Sequence, residues 1–307
     1  MDKVKDQYFG LNMVWFFGVV EDRKDPLKLG RVRVRCYTWH TDDKKKIPTE
    51  ALPWAQCVQP VTSAATSGIG RSPTGLVEGS WVFGFFMDGE DAQKPMVLGS
   101  LAGIPTELPN KEKGFNDPNG VYPSYINEPD VDKLARNESP DLPTIKNANR
   151  KAAAYGTGSI IPHGQGTWDE PTDKYTASYP KNHVWRTESG HVIEVDDTPN
   201  NERIQEYHKS GTFREISASG NTVTRVVGDN YTIIAKNDYV RVEGKVNLHI
   251  NEDCNTYIKG DWNIQVDGNK KEVIKGRYDL DITAENGDGE LDIEAKVIHL
   301  NKTSQYS

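Results

Sequence analysis

Between residues 220 and 283 glycine returns in a register of eight: Gly220, Gly228, Gly244, Gly260, Gly268 and Gly276, with Lys236 and Glu252 at the two skipped sites. Two residues before each site from 228 onward lies an aliphatic side chain, Val226, Ile234, Val242, Ile250, Ile258, Val266 and Ile274, and the series continues to Ile282. From 240 to 266 the even positions read Val, Val, Gly, Val, Leu, Ile, Glu, Cys, Thr, Ile, Gly, Trp, Ile, Val. The odd positions from 241 to 267 are polar or charged except Tyr257. A period of two specifies strand, not helix. Because eight is even, a turn at every octad keeps the same side chains on one face. Glycine at such a turn supplies either a positive φ or room for a close approach.

One narrow apolar stripe has nothing in its own chain to be buried against. Single-chain solenoids use coils of about 20 residues or more, apart from the short hexapeptide and nonapeptide types. The octads therefore predict several chains wound about one axis, and three is the smallest number that closes a prism with no open edge. Only 36% of the residues are hydrophobic, below the roughly 45–50% of globular chains counted with glycine. A thin, shared core accounts for that shortfall.

The rest of the composition narrows the function classes. With 307 residues, a prior of about 150 per domain suggests two domains. The longest apolar runs, Met13–Phe17 and Val82–Met87, fall far short of the roughly 20 residues that span a bilayer. The opening MDKVKDQYFG has charges but no apolar core behind them, so no secretory signal is expected. Cys36, Cys57 and Cys254 are odd in number and far apart, which fits a reduced assembly compartment. Residues 1–181 carry 22 basic against 23 acidic side chains, and residues 182–307 carry 15 against 22. The acidic C-terminal part and the absence of a basic stripe argue against a nucleic-acid partner.

Four regions follow. Residues 1–105 read as five short strands, Asn12–Val20, Arg31–Trp39, Ala51–Val58, Trp81–Met87 and Met96–Leu101, separated by Gly, Pro and Asp. In Arg31-Val32-Arg33-Val34-Arg35 the valines are expected to face inward and the arginines water. Five strands in such a length predict a small antiparallel barrel, of which the oligonucleotide/oligosaccharide-binding (OB) type is the commonest. Residues 106–180 are proline-rich and read as an extended connector hugging the surface, with a short helix over Thr144–Tyr155. Residues 181–219 form a strand-rich lead-in, and 220–307 the octad needle.

Taken together, the chain resembles the central spike proteins of contractile phage-tail baseplates, the family that includes the tail-associated lysozymes, and is similar to the spikes of type VI secretion. Three blocks carry the resemblance. The first runs from Phe17-Gly18-Val19-Val20 through Leu29-Gly30-Arg31-Val32-Arg33-Val34, Gly79-Ser80-Trp81-Val82 and Phe85-Phe86-Met87-Asp88-Gly89 to Pro95-Met96-Val97-Leu98-Gly99. The second is Glu188-Ser189-Gly190-His191 with Glu194-Val195-Asp196-Asp197-Thr198-Pro199, Glu202-Arg203-Ile204 and His208-Lys209-Ser210-Gly211-Thr212. The third is the octad repeat. The resemblance implies an all-β homotrimer with an N-terminal OB barrel and a C-terminal triple-stranded β-helix, located in the virion tail baseplate after assembly in the host cytoplasm. Its implied partners are further copies of itself, a hub protein at the N-terminal barrel, a tip-capping protein at the C-terminus and, transiently, the host outer envelope.

One departure bears on activity. Lysozyme-bearing members place a glycosidase of well over 100 residues between barrel and needle. Here about 75 proline-rich residues fill that place and lack the periodicity of a helical lysozyme core. No catalytic residue, cofactor or metal ligand is therefore expected. Ser189, His191 and Asp196 or Asp197 lack a nucleophile elbow, and residues two apart on a strand do not converge on a substrate. Cys36 and His40 have no second pair at metal-ligand spacing. Trp262 and Tyr278 share the inward parity and are read as corner wedges. The alternatives are the spike of a type VI or other contractile secretion system, a spike with residual cell-wall-degrading activity, and a receptor-binding fibre.

Overall fold

The computed structural model describes residues 14–138, 160–163, 166–169, 175–283 and 289–298. The helix expected over Thr144–Tyr155 and the C-terminal residues 299–307 lie outside the described residues. The chain divides into two units, Met1–His249 and Ile250–Ser307. Among the described residues the regular structure is β-strand, with single 3₁₀ turns at Thr49–Ala51 and Gly89–Asp91.

Strands β1 (Val14–Asp22), β2 (Val32–Cys36), β3 (Trp54–Cys57), β4 (Trp81–Phe86) and β5 (Pro95–Ser100) close a barrel in the order β1-β2-β3-β5-β4. All its pairings are antiparallel except β3 with β5. Phe16, Val20, Val32, Val34, Cys36, Ala55, Val82, Phe86, Ala92 and Val97 fill the interior. Closure in so small a barrel demands close approach, and Gly84 provides it at a bulge between Phe83 and Gly84. A Cβ there would lie 2.0 Å from the Met96 carbonyl oxygen and 2.7 Å from the Phe16 ring.

The alternation of β2 holds for its valines and fails at one arginine. Val32 and Val34 are buried as expected, but Arg35 is fully buried instead of facing water. Its Nε donates to Glu21 Oε1 at 2.6 Å, and its remaining nitrogens donate to Glu21 Oε2 and to the carbonyls of Thr41 and Ile47. The same carboxylate accepts the Thr49 hydroxyl and the Phe115 backbone N–H. Loops 41–51 and 113–115 thus close over the outside of the barrel, and each Arg35 nitrogen that loses water gains a partner, which buried charge requires.

The described part of the 106–180 region follows a turn-rich path pinned at two places. Besides the Phe115–Glu21 bond, Asp117 is fully buried and accepts the N–H groups of Asn119, Val121 and Tyr122. Further along, Leu134 is 2% exposed, in a second cluster with Val192, Tyr207 and Phe213. A two-stranded hairpin, β6 (Ile160–His163) with β7 (Gly166–Asp169), lies in the same stretch.

The second sheet is a meander of five antiparallel strands, β8 (Asn182–Arg186), β9 (Val192–Asp196), β10 (Arg203–Tyr207), β11 (Phe213–Ile216) and β12 (Thr222–Arg225). Short turns join neighbours, with Gly190, Gly211 and Gly220 at positive φ. Within the same unit the β8–β9 turn reaches the barrel. Arg23 donates to both oxygens of Glu188 at 2.8 and 3.0 Å and also pairs with Glu78, while the Tyr122 hydroxyl donates to Glu188. Arg23 holds the Glu188 carboxyl below its usual range.

From 226 on, the described chain forms no helix and no strand ladder with itself. It bends at 227–228, 235–236, 243–244, 251–252, 259–260, 267–268 and 275–276, including the octad sites that carry Lys236 and Glu252. Only Gly220 of the octad glycines has a positive φ, 79°. Gly228, Gly244, Gly260, Gly268 and Gly276 bend without it, and a Cβ on any of them would meet nothing within 4 Å in the single chain. Neither a positive φ nor crowding within the single chain therefore requires glycine at those five positions.

Candidate functional site

The five-stranded sheet is built inside out. Alternation along β9 and β10 places Val192, Glu194, Asp196, Arg203, Gln205 and Tyr207 on one covered face. From β11 and β12, Phe213, Glu215 and Arg225 join them. The aliphatic residues between them, Ile193, Val195 and Ile204, point the other way and are 45%, 40% and 50% exposed.

A shared arginine holds the covered charges. Arg203 sits between two carboxylates, with Nη2 2.8 Å from Glu194 Oε1 and Nη1 3.0 Å from Glu215 Oε2. Its guanidinium lies 4.6 Å from the centre of the Tyr175 ring. Burial pulls the Arg203 pKa down, but Glu194 and Glu215 outweigh it and hold the group above its ordinary value. Burial, with Glu194 beside it, pushes the Tyr175 phenol upward. Asn182 Nδ2 donates to Glu194 Oε1 at 2.7 Å and to the Leu134 carbonyl at 3.1 Å, and that carbonyl also accepts the Tyr175 hydroxyl. The 131–138 segment and Tyr175 thereby cap the charged face, while Val192, Tyr207 and Phe213 give it an apolar end.

On the open face, cross-strand pairing sets His183, Val195, Ile204, Ile216 and Thr222 in one row. Trp185 faces Ile193 in the next row, which continues through Glu206 and Arg214 to Thr224. Contiguous exposed aliphatic and aromatic side chains of this kind mark surfaces that meet a partner.

The octad residues extend this exposure. Val226, Ile234, Val242, Ile250, Ile258, Val266, Ile274 and Ile282 are each between 37% and 51% exposed in the single chain. Trp262 and Tyr278 are 68% and 62% exposed. The barrel shows a third bare surface, an aromatic ladder on β1 and β4. Trp15 stacks on Phe83 at 5.1 Å and meets Phe85 edge-on, and Phe17 packs beside Phe83.

The residues weighed for chemistry are occupied with local structure. His191 Nδ1 accepts the Lys209 N–H and its ring lies 4.4 Å from that of His208, while Ser189 bonds Thr187. Asp196 accepts the Thr198 N–H, and Asp197 lies 3.6 Å from His183. The structure does not bring these groups into a triad. Cys36 is fully buried, and His40 Nδ1 accepts its backbone N–H at 2.9 Å. The buried pair Glu21–Arg35, the Arg203 cluster and the Leu134 cap were not apparent from sequence, because each joins segments far apart in the chain.

Comparison with known proteins agrees with this architecture. The profile of the family described as the Gp5 N-terminal OB domain matches residues 36–207, more than half of the chain. The chain belongs to that family, and its barrel is an OB fold. It is 41% identical over 274 residues, 79% of its length, to Protein Gp5 of Vibrio phage KVP40. Over 120 residues it is 54% identical to the pre-baseplate central spike protein Gp5 of Enterobacteria phage T4. These matches take in 64% of the Vibrio phage protein and 21% of the T4 protein.

Proposed function

We propose that this chain is the central spike of a contractile phage-tail baseplate, a homotrimer whose octads wind into a triple-stranded β-helix and pierce the host outer envelope when the sheath contracts. The observation that carries the reading is the octad region. Its chain bends every eight residues, makes no ladder with itself and leaves all eight aliphatic sites half exposed. Three copies about one axis give each strand hydrogen-bonding neighbours and each aliphatic site an apolar one. The glycines without a positive φ then sit where neighbouring chains pass closely. The name of the T4 relative, a pre-baseplate central spike protein, supports the same location, the tail baseplate of the virion.

In this reading the barrel seats on a separate hub protein and the C-terminal end carries a tip-capping protein. The role is mechanical and not enzymatic: the charged residues of the sheet are engaged in its own cover, and no cofactor is called for. The work done on the envelope comes from the sheath, and the spike's part is to resist opening. Interwound strands do so because no strand leaves without breaking its bonds to two neighbours.

The deciding experiment is the mass of the purified chain by light scattering, before and after SDS at room temperature. The expected result is a species near three times 34.4 kDa that survives SDS until it is boiled. A monomer would overturn the reading. Clearing of isolated cell walls by the pure protein would overturn the non-enzymatic assignment alone.

A further inference from the structure

An octad needle has a register problem. Sliding one chain past another by eight residues restores nearly the same aliphatic and glycine contacts, so the repeats alone specify register weakly. Only scattered departures, such as Lys236, Glu252 and Trp262, resist the slip. The sheet β8–β12 has the opposite character. It pairs within one chain, its sequence does not repeat, and its open face carries Trp185, Ile193, Val195, Ile204 and Ile216.

That face leads directly into the octads. On β12, Val223 and Arg225 turn to the covered side and Thr222 and Thr224 to the open one. The next residue in the open alternation is Val226, the first octad aliphatic site. In sequence, the alternation that defines the open face thus runs into the octad alternation at Val226 without a change of parity.

We propose that this face is a registration clamp for three copies of the same chain: the copies meet there first, in a single alignment, and the needle then winds from β12 toward the C-terminus. The inference rests on the trimer reading. A second copy, and not a different protein, is the occupant because the stripe that needs further copies begins where the face ends. The charges that share the face also permit it. Glu206 and Arg214 lie directly across from each other, so they neutralise within one chain and set no like charges against a symmetric neighbour.

The test uses the full chain, unfolded in guanidinium and refolded, with trimer formation followed by light scattering. Oxidative cross-linking through native Cys254, on the octad parity, reports alignment, since only chains in register bring the same residue together; Cys254→Ser supplies the blank. Wild type and Ile204→Leu are expected to assemble at the same rate and cross-link. Ile204→Asp and, as a second variant, Val195→Lys are expected to assemble at least tenfold more slowly and to lose most of the cross-link. Hydrogen-exchange protection of the β8–β12 amides identifies the variant whose own sheet has folded, and that variant is the one scored. Assembly and cross-linking at the wild-type level in it would overturn the clamp while leaving the trimer standing. A wild-type monomer would instead remove the trimer reading, and the clamp with it.

Discussion

The barrel and the five-stranded sheet put their charges to opposite use. In the barrel the interior is apolar from Phe16 to Val97, and its buried ion pair, Glu21 with Arg35, lies on the outer side under two loops. In the sheet the covered face holds Glu194, Asp196, Arg203, Gln205 and Glu215, while Ile193, Val195 and Ile204 face outward. A domain that is complete alone buries its aliphatic residues first. The sheet instead covers charged side chains beside a small apolar cluster and shows its aliphatic residues. The difference teaches that the barrel buries its aliphatic residues within its own closed sheet, whereas the five-stranded sheet leaves them exposed in the single chain, as the proposed trimer requires.

The largest effect that would break this comparison is in the octads. Ile258→Asp or Val266→Asp would set three carboxylates around a dry axis, a cost that burial of unpaired charge makes prohibitive. Light scattering should then read the monomer mass with the barrel still folded. A stable trimer from either variant would refute the inward parity.

Next in size are the two arginines. Arg203→Met leaves Glu194 and Glu215 covered without their cation, and Arg35→Met does the same to Glu21. Breaking a buried pair in this way costs about 3–5 kcal/mol, measurable as a shift in urea midpoint. If the comparison holds, Arg203→Met loosens the sheet and its 131–138 cap, whereas Arg35→Met releases loops 41–51 and 113–115 from the barrel. Both are readable as hydrogen exchange confined to those segments.

Gly84→Ala sharpens the barrel side. Its Cβ would meet a backbone carbonyl and a core ring, neither able to withdraw freely, so a loss of about 1–3 kcal/mol is expected, with the octads untouched. A smaller, pH-dependent effect belongs to His40. Burial, then the Arg35 charge, lowers its pKa below the ordinary histidine value. The folded barrel therefore binds a proton less readily than the unfolded chain. Its stability should be full above the ordinary histidine range and decline as pH falls through that range toward the depressed value. His40→Gln should flatten that decline in thermal melts between pH 7 and 5. The smallest effect is at the junction of barrel and sheet. Glu188→Gln removes the exposed ion pair with Arg23 while leaving Arg23 on buried Glu78, a loss of about 0.2–1 kcal/mol, and added salt should erase the difference from wild type.

Much of this molecule was legible from local pattern. The five barrel strands follow from β-branched and aromatic runs cut by Gly, Pro and Asp, and the octad bends from glycine spacing, both of which act over a few residues. The connector's anchors were less legible, since nothing near Phe115 or Leu134 says which distant surface receives it. Arg35 was misassigned for a related reason. Alternation tells which way a side chain points from a strand, not what another loop lays over it.

The sequence by itself therefore determined the period of the octad bends and the positions of the barrel strands, because these depend on backbone geometry and neighbours in the chain. Tertiary structure alone decided which face of the β8–β12 sheet is covered. In Val192-Ile193-Glu194-Val195-Asp196 alternation offers two faces and would turn Ile193 and Val195 inward. The fold covers Glu194 and Asp196 instead, because Arg203 brings a cation and Asn182 a donor to Glu194 Oε1, while the Leu134 carbonyl accepts the same Asn182 amide, and Ile193 and Val195 are left exposed.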